Sequence, residues 1–192
     1  MKRLLVTMFV LCLGVSCAKN PFSTRDSEPP KGRAGTFIPP TSPQIVLENL
    51  RFSYSELVIG NFIECLDSSF TFRFDYIQGI QGDTMWGYAQ EINLTEKMFN
   101  DYTAQKDTRK FEIEFQAVPD QHDIILDTTA TLVRSYAVTV ADTAGTVVEE
   151  YEGIATFELR ESAYNFWALS TWKDLHFDLQ TPSWAELKSA YR

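Results

Sequence analysis

A chain of 192 residues, 44% of them hydrophobic, is long enough to bury one sizeable core and short for two domains of ordinary size. Its 26 acidic against 17 basic side chains leave a net charge of −9, and Lys19, Arg25, Lys31 and Arg33 lie near the start, so the acidic excess falls on the remainder and argues against a nucleic-acid partner. Of three cysteines only Cys65 lies in the body of the chain, which excludes an internal disulfide framework.

The first elements are an address. Lys2 and Arg3 precede an apolar run from Leu4 to Leu13, and the small residues Gly14, Val15 and Ser16 lead to Cys17. Charge, length and cleavage-site chemistry predict a signal peptide over residues 1–17, too short for a permanent membrane span. The stretch Leu13-Gly14-Val15-Ser16-Cys17 resembles the lipobox of bacterial lipoproteins, with Gly14 where that pattern favours an aliphatic residue. The resemblance implies acylation of Cys17 and a lipid anchor in the cell envelope, at the outer membrane or the outer face of the cytoplasmic membrane. Residues 18–43 carry six prolines among polar side chains and read as a flexible tether, leaving 44–192 as the domain.

Ser42-Pro43 reads as an N-cap and first helical position, and Val46, Leu47, Leu50, Tyr54 and Leu57 recur at helical spacing. A second short helix is predicted around Leu57 to Leu66. Phe70, Phe72, Phe74 and Tyr76 then alternate with polar residues, as in a strand with one buried face. After Gly79 and Gly82, Thr84 is the expected cap of a third helix carrying Met85, Tyr88, Ala89, Ile92 and Phe99. Phe111, Ile113 and Phe115 alternate with Lys110, Glu112 and Glu114 in a further half-wet strand.

The runs from Ile124 to Ala141 and from Thr146 to Arg160 flank a turn at Asp142-Thr143-Ala144-Gly145. Pairing Ala141 with Thr146 sets Tyr136 opposite Tyr151, Leu132 opposite Ala155 and Arg134 opposite Gly153, and puts Leu126, Leu132, Tyr136, Val138 and Val140 on one face with Val147, Tyr151, Phe157 and Leu159. A last strand is expected over Tyr164 to Trp172. Ser183 and Glu186 form a capping box for a short terminal helix that docks Trp184, Leu187 and Tyr191.

Two helices, a strand, a third helix and four antiparallel strands is an element order that resembles the NTF2-like superfamily, grouped with cystatin-like folds. The resemblance covers about residues 44–192 and implies an α+β fold in which a curved antiparallel sheet of about five strands wraps two to three helices around a cavity. The opening Pro43 to Leu50 and the tryptophans Trp167, Trp172 and Trp184 are also similar to bacterial lipoproteins with a Pro-x-x-Val-Leu-x-Asn-Leu start. Because the superfamily hosts both enzymes and non-catalytic modules, the resemblance implies a ligand-binding or protein-assembly module, with an isomerase or dehydratase as the alternative.

Arg134 falls on an apolar strand face, where a charge needs a partner. It reads either as a pocket cation for an anionic ligand, flanked by Tyr136 and Tyr151, or as one half of a salt bridge to Glu149 or Asp127. His122 and His176 stand at no metal-ligand spacing, so neither a metal nor a cofactor is expected. The resemblance implies, for an isomerase, an acidic base and a phenolic or acidic donor in the cavity; Asp75 with Tyr76, or Glu91 with Tyr136, could be fitted to those roles, but no spacing in the sequence singles out either pair. Trp86, Trp167 and Trp172 read as core. A small molecule, an envelope protein or a second copy of the chain are the expected kinds of partner.

Overall fold

The computed structural model describes residues 34–75, 84–178 and 180–192. The signal segment, Cys17, the tether up to residue 33, Tyr76, Gly79 and Gly82 lie outside these residues.

The domain begins earlier than the proline content suggests. Residues 34–42, assigned above to the tether, are bonded into the fold: Asn49 donates to the Ile38 carbonyl at 2.7 Å and accepts from its N–H at 2.8 Å, while Trp167 N–H donates to the Pro40 carbonyl at 2.8 Å. Proline cannot donate, but its carbonyl accepts, and that satisfies the first N–H of the strand that starts at Trp167.

Helix α1 (Pro43–Ser55) starts with Pro43 in its first turn, and Ser42 holds the N-cap position without a side-chain cap bond. It buries Val46, Leu47, Leu50 and Tyr54, packing against the strand Arg109–Ala117. Leu57 takes a positive φ of 54° and breaks the helix, after which α2 runs Ile59–Glu64. Strand β1 (Leu66–Phe74) buries Phe70, Phe72 and Phe74 as the alternation predicts. The region after Thr84 differs from the expectation of a helix. Met85–Gly87 forms a short strand, β2, because Trp86 pairs with Phe72 across β1 and stacks on its ring at 4.6 Å, and the helix, α3 (Tyr88–Ala104), starts only after Gly87.

Strands β3 (Arg109–Ala117), β4 (Ile124–Ile125), β5 (Thr129–Asp142), β6 (Val147–Glu161) and β7 (Trp167–His176) complete the sheet, followed by helix α4 (Trp184–Ser189). The sheet is curved and unclosed, with seven strands rather than five, in the order β2-β1-β7-β6-β5-β3 with β4 on β5. It is mixed rather than wholly antiparallel, because β1 and β7 run parallel.

In the β5–β6 pair Tyr136 lies opposite Gly153, Leu132 opposite Phe157 and Arg134 opposite Ala155. This is two residues away from the expected pairing, since a bulge at Val140/Ala141 and a left-handed Gly145 (φ 83°) lengthen the turn. A slip of two keeps every side chain on its face, so the apolar set survives. Two members of that set do not hold. Leu126 lies in the turn before β5, where its N–H bonds Thr129 O, and Val147 opens β6 beyond the helices; both are exposed. Tyr164 is likewise 84% exposed in the Ser162–Phe166 turn, and β7 starts later, at Trp167.

Candidate functional site

Between the helices and the concave face of the sheet, where a fold of this shape would hold a cavity, stands α4. The capping-box carboxylate of Glu186 accepts from Ser183 N–H at 2.8 Å and starts this six-residue helix. Its Trp184 side chain is fully buried, with ring centroids 4.3 Å from Trp172, 4.9 Å from Tyr54 and 5.1 Å from Tyr136, so that α1, β5 and β7 all close on it. Burying Trp184 and Leu187 stabilises the docked helix by roughly 2–3 kcal/mol for each side chain.

Polar groups line the space that α4 fills. Asp174 on β7 is fully buried and accepts from Tyr136 Oη at 2.6 Å and from Ala185 N–H at 2.7 Å. Tyr136 Oη in turn accepts from Trp184 N–H at 2.8 Å. Two of the N–H groups that the first turn of α4 cannot satisfy itself are thus satisfied by the sheet. Burial pushes the Asp174 carboxyl up to about 6, against the opposing pull of these hydrogen bonds, and burial followed by the nearby Asp174 carboxylate pushes the Tyr136 phenol well above its ordinary range.

Beside this pair, Lys188 Nζ is fully buried and bonded to Glu91 Oε1, while Trp86 Nε1 donates to Glu91 Oε2. The ammonium faces four rings: Trp172 at 4.1 Å, Phe72 at 4.3 Å, Trp184 at 5.5 Å and Phe62 at 6.0 Å. Burial lowers the Lys188 pKa and the Glu91 carboxyl opposes that shift. At the rim His176 bridges Asp75, 2.7 Å away, and Glu186, 3.2 Å away; burial works against its imidazolium, but Asp75 and then Glu186 outweigh burial and raise its pKa.

The residues singled out from the sequence are not gathered into one pocket. Arg134 does face inward, but its guanidinium clasps Asp123 through both carboxylate oxygens, at 2.6 and 2.7 Å, rather than Glu149 or Asp127. It borders a cavity of about 260 Å³ with Gln44, Leu47, Arg51 and Phe115. Tyr136 belongs to the Asp174 pair, and Tyr151 donates to Glu149 at 3.1 Å, which Arg109 and Tyr102 also hold. Burial, then Glu149, raises the Tyr151 phenol to about 12. Glu91 and Tyr136 line the same interior but bond different partners, Lys188 and Asp174. Trp86, Trp167 and Trp172 are core, and Cys65 is buried, donating to Asn61 O. Among the described residues no cluster of three or more His, Cys, Asp or Glu is placed to hold a metal ion.

Asp174 and Lys188 escaped the sequence reading because each sits in an ordinary polar-looking stretch, Lys173-Asp174 and Glu186-Leu187-Lys188. Periodicity did hold a signal: Asp174 is two residues beyond Trp172 in a strand, hence on its face, and Lys188 is four beyond Trp184 in a helix, hence on the docking side.

On the opposite, outer face of the sheet, a second pocket of about 290 Å³ has a floor of Ser135, Tyr136, Ala137 and Gly153. Glu114, Glu152 and Gln116 wall it, and exposed Phe177 stands at its edge.

The sequence matches no protein-family model, and no curated protein matches it. Solved structures do resemble the fold. A protein from Thiobacillus denitrificans described as a calcium/calmodulin-dependent protein kinase type II association domain superposes with a TM-score of 0.53 at 12% identity, over 74% of this chain and 99% of that one. A conserved protein from Planctomyces limnophilus gives 0.50 at 14% identity, over 69% and 91%. An NTF2-like superfamily protein from Salmonella enterica gives 0.47 at 11% identity, over 72% and 87%. At such identities the likeness concerns architecture alone, and the architecture is the α+β, NTF2-like fold expected from the order of elements.

Proposed function

We propose that the chain is a cell-envelope lipoprotein, anchored through an acyl group on Cys17, whose NTF2-like domain is a non-catalytic assembly module that docks a basic protein surface on its outer sheet face. The observation that carries this reading is the occupation of the fold's interior by Trp184 and Lys188, both fully buried, with Asp174 and Tyr136 bonded to the first turn of the same helix. The outer face keeps an open pocket instead. Its small floor and the carboxylates of Glu114 and Glu152 suit a lysine or arginine side chain, and Phe177 offers a ring to its stem. That the Thiobacillus denitrificans neighbour is described as an association domain agrees with assembly as a use of this fold.

A photo-crosslinking residue at Ala137, in the protein expressed in its own envelope, tests the reading. A discrete adduct with one other protein, lost on Glu152→Lys, is the expected result. Absence of any protein adduct, with the purified domain carrying a stoichiometric small molecule, contradicts it; an adduct with a second copy replaces the basic partner by a homodimer. The anchor is read separately: wild-type protein incorporates labelled palmitate and sediments with membranes, and Cys17→Ser does neither.

One observation favours a second reading, a cavity enzyme of isomerase or dehydratase type. Asp174 and Tyr136 are a carboxyl and a phenol 2.6 Å apart, the acid–base pairing such chemistry needs. Both are buried and both bond the first turn of α4, so this reading requires the helix to leave before substrate enters.

A further inference from the structure

We propose that α4 is a displaceable plug and that the box it fills is a binding site for an alkylammonium ion, with the side chain of Lys188 as its built-in occupant. The box has the two features that recognise ammonium. Ring faces surround the nitrogen, with Trp172 at 4.1 Å and Phe72 at 4.3 Å the nearest, and a carboxyl group, Glu91, meets it directly. Glu91 is itself fixed by the Trp86 indole N–H and, at 3.5 Å, by the Thr95 hydroxyl. All of these stand on α3 and the sheet, so the box persists when α4 departs; of the four surrounding rings only Trp184 leaves with it.

The choice of lysine is the second argument. A fully buried ion pair recovers in attraction little more than its desolvation cost, and an apolar side chain of similar volume generally stabilises a core as well or better. A permanent plug would therefore be served by methionine at position 188. What lysine adds is an occupant that another cation can replace, because the charge of Glu91 is then never left unmatched.

The third argument is how α4 is held. It has six residues, and the described residues just before it, 177, 178 and 180–182, are exposed or half-buried. Its anchors to the rest of the fold include single hydrogen bonds that water can replace: Trp184 N–H to Tyr136, Ala185 N–H to Asp174, Glu186 to His176, and Tyr191 Oη to Asp101 at 3.0 Å.

The experiment uses n-butylammonium, the Lys188 side chain detached from its backbone, and n-butanol as a neutral control of similar size. In the full-length Lys188→Ala protein, n-butylammonium is expected to raise the melting temperature toward the wild-type value and to bind by calorimetry, with n-butanol and matched sodium chloride doing neither; Glu91→Gln in the same background abolishes the response. If Lys188→Ala fails to fold, refolding yield with each additive gives the same comparison. In wild-type protein, n-butylammonium at about ten times its dissociation constant is expected to speed hydrogen exchange at the Trp184 and Ala185 amides roughly tenfold, since it binds only the open state. Equal response to n-butanol and n-butylammonium would show a cavity that merely wants filling and overturns the ammonium site. Wild-type exchange unchanged by n-butylammonium overturns the plug.

Discussion

Gly153 occupies a position where a single methyl group has nowhere to go. A Cβ there would stand 2.4 Å from Tyr136 Oη and 2.6 Å from the Leu175 carbonyl, and the second is backbone that cannot move aside. Gly153→Ala is expected to cost about 3 kcal/mol, at the upper end of overpacking, and to pull Tyr136 off Asp174; urea unfolding midpoints measure the first and the Tyr136 environment in near-ultraviolet circular dichroism the second. Asp174 makes a prediction about pH. Its carboxyl titrates near 6 in the folded protein against 3.8 when free, so the folded state holds the proton more tightly and loses stability as pH rises from about 4 to 6. The size is about 3 kcal/mol at the usual conversion of pKa difference to free energy. His176 adds to it: its raised pKa stabilises below the ordinary histidine range, and that contribution disappears as pH climbs through the raised value. Asp67, Asp123 and Glu158, each lowered by hydrogen bonds, work the other way in acid, so the clean readout is a difference. Asp174→Asn is expected to lose less stability than wild type between pH 4 and 6.5 in urea titrations; identical slopes would mean that Asp174 does not titrate in this range.

At the scale of elements, α4 is where stability and site coincide. Trp184→Ala removes a ring packed against Trp172, Tyr54 and Tyr136 and is expected to cost roughly 4 kcal/mol and to open a dye-binding cavity, measurable by unfolding midpoint and by fluorescence of an added apolar dye. Unchanged stability would place the helix outside the core. The capping box made α4 legible in the sequence, and strict alternation made the buried faces of β1 and β3 legible, because both signals are local. What was not legible depended on distant partners. Met85–Gly87 is a strand only because Phe72 and β1 lie beside it, the β5–β6 pairing moved by two residues because of one bulge, and the parallel β1–β7 pair joins segments about a hundred residues apart. The same reason hid the site: Glu91 and Lys188 lie on separate helices and Tyr136 and Asp174 on separate strands, so no spacing along the chain announces either pair. Arg134 was legible as a charge on an inner face, while its partner, Asp123, lies in the connection before β5 and carries no pattern.

At the scale of the whole molecule, side chains of α4 are buried in the interior of the domain and the outer face of the sheet carries an acidic pocket, while acylation at Cys17 remains part of the proposal above. The proposed docking surface, walled by Glu114 and Glu152, is expected to make association sensitive to salt, since partly exposed charges are screened within about 8 Å at physiological ionic strength. The central claim is that α4 fills the space between helices and sheet, and the most direct measurement is hydrogen exchange of the Trp184 and Ala185 amides in the purified protein without additives. Both amides are expected to be protected, through Tyr136 and Asp174, well beyond those of the exposed residues Phe177, Asp178 and Gln180, and to exchange by a local opening faster than the central strands β6 and β7. Exchange of both amides at the rate of an unstructured peptide would mean that the helix does not close the cavity, and would return the interior to the reading of an open, substrate-accessible chamber.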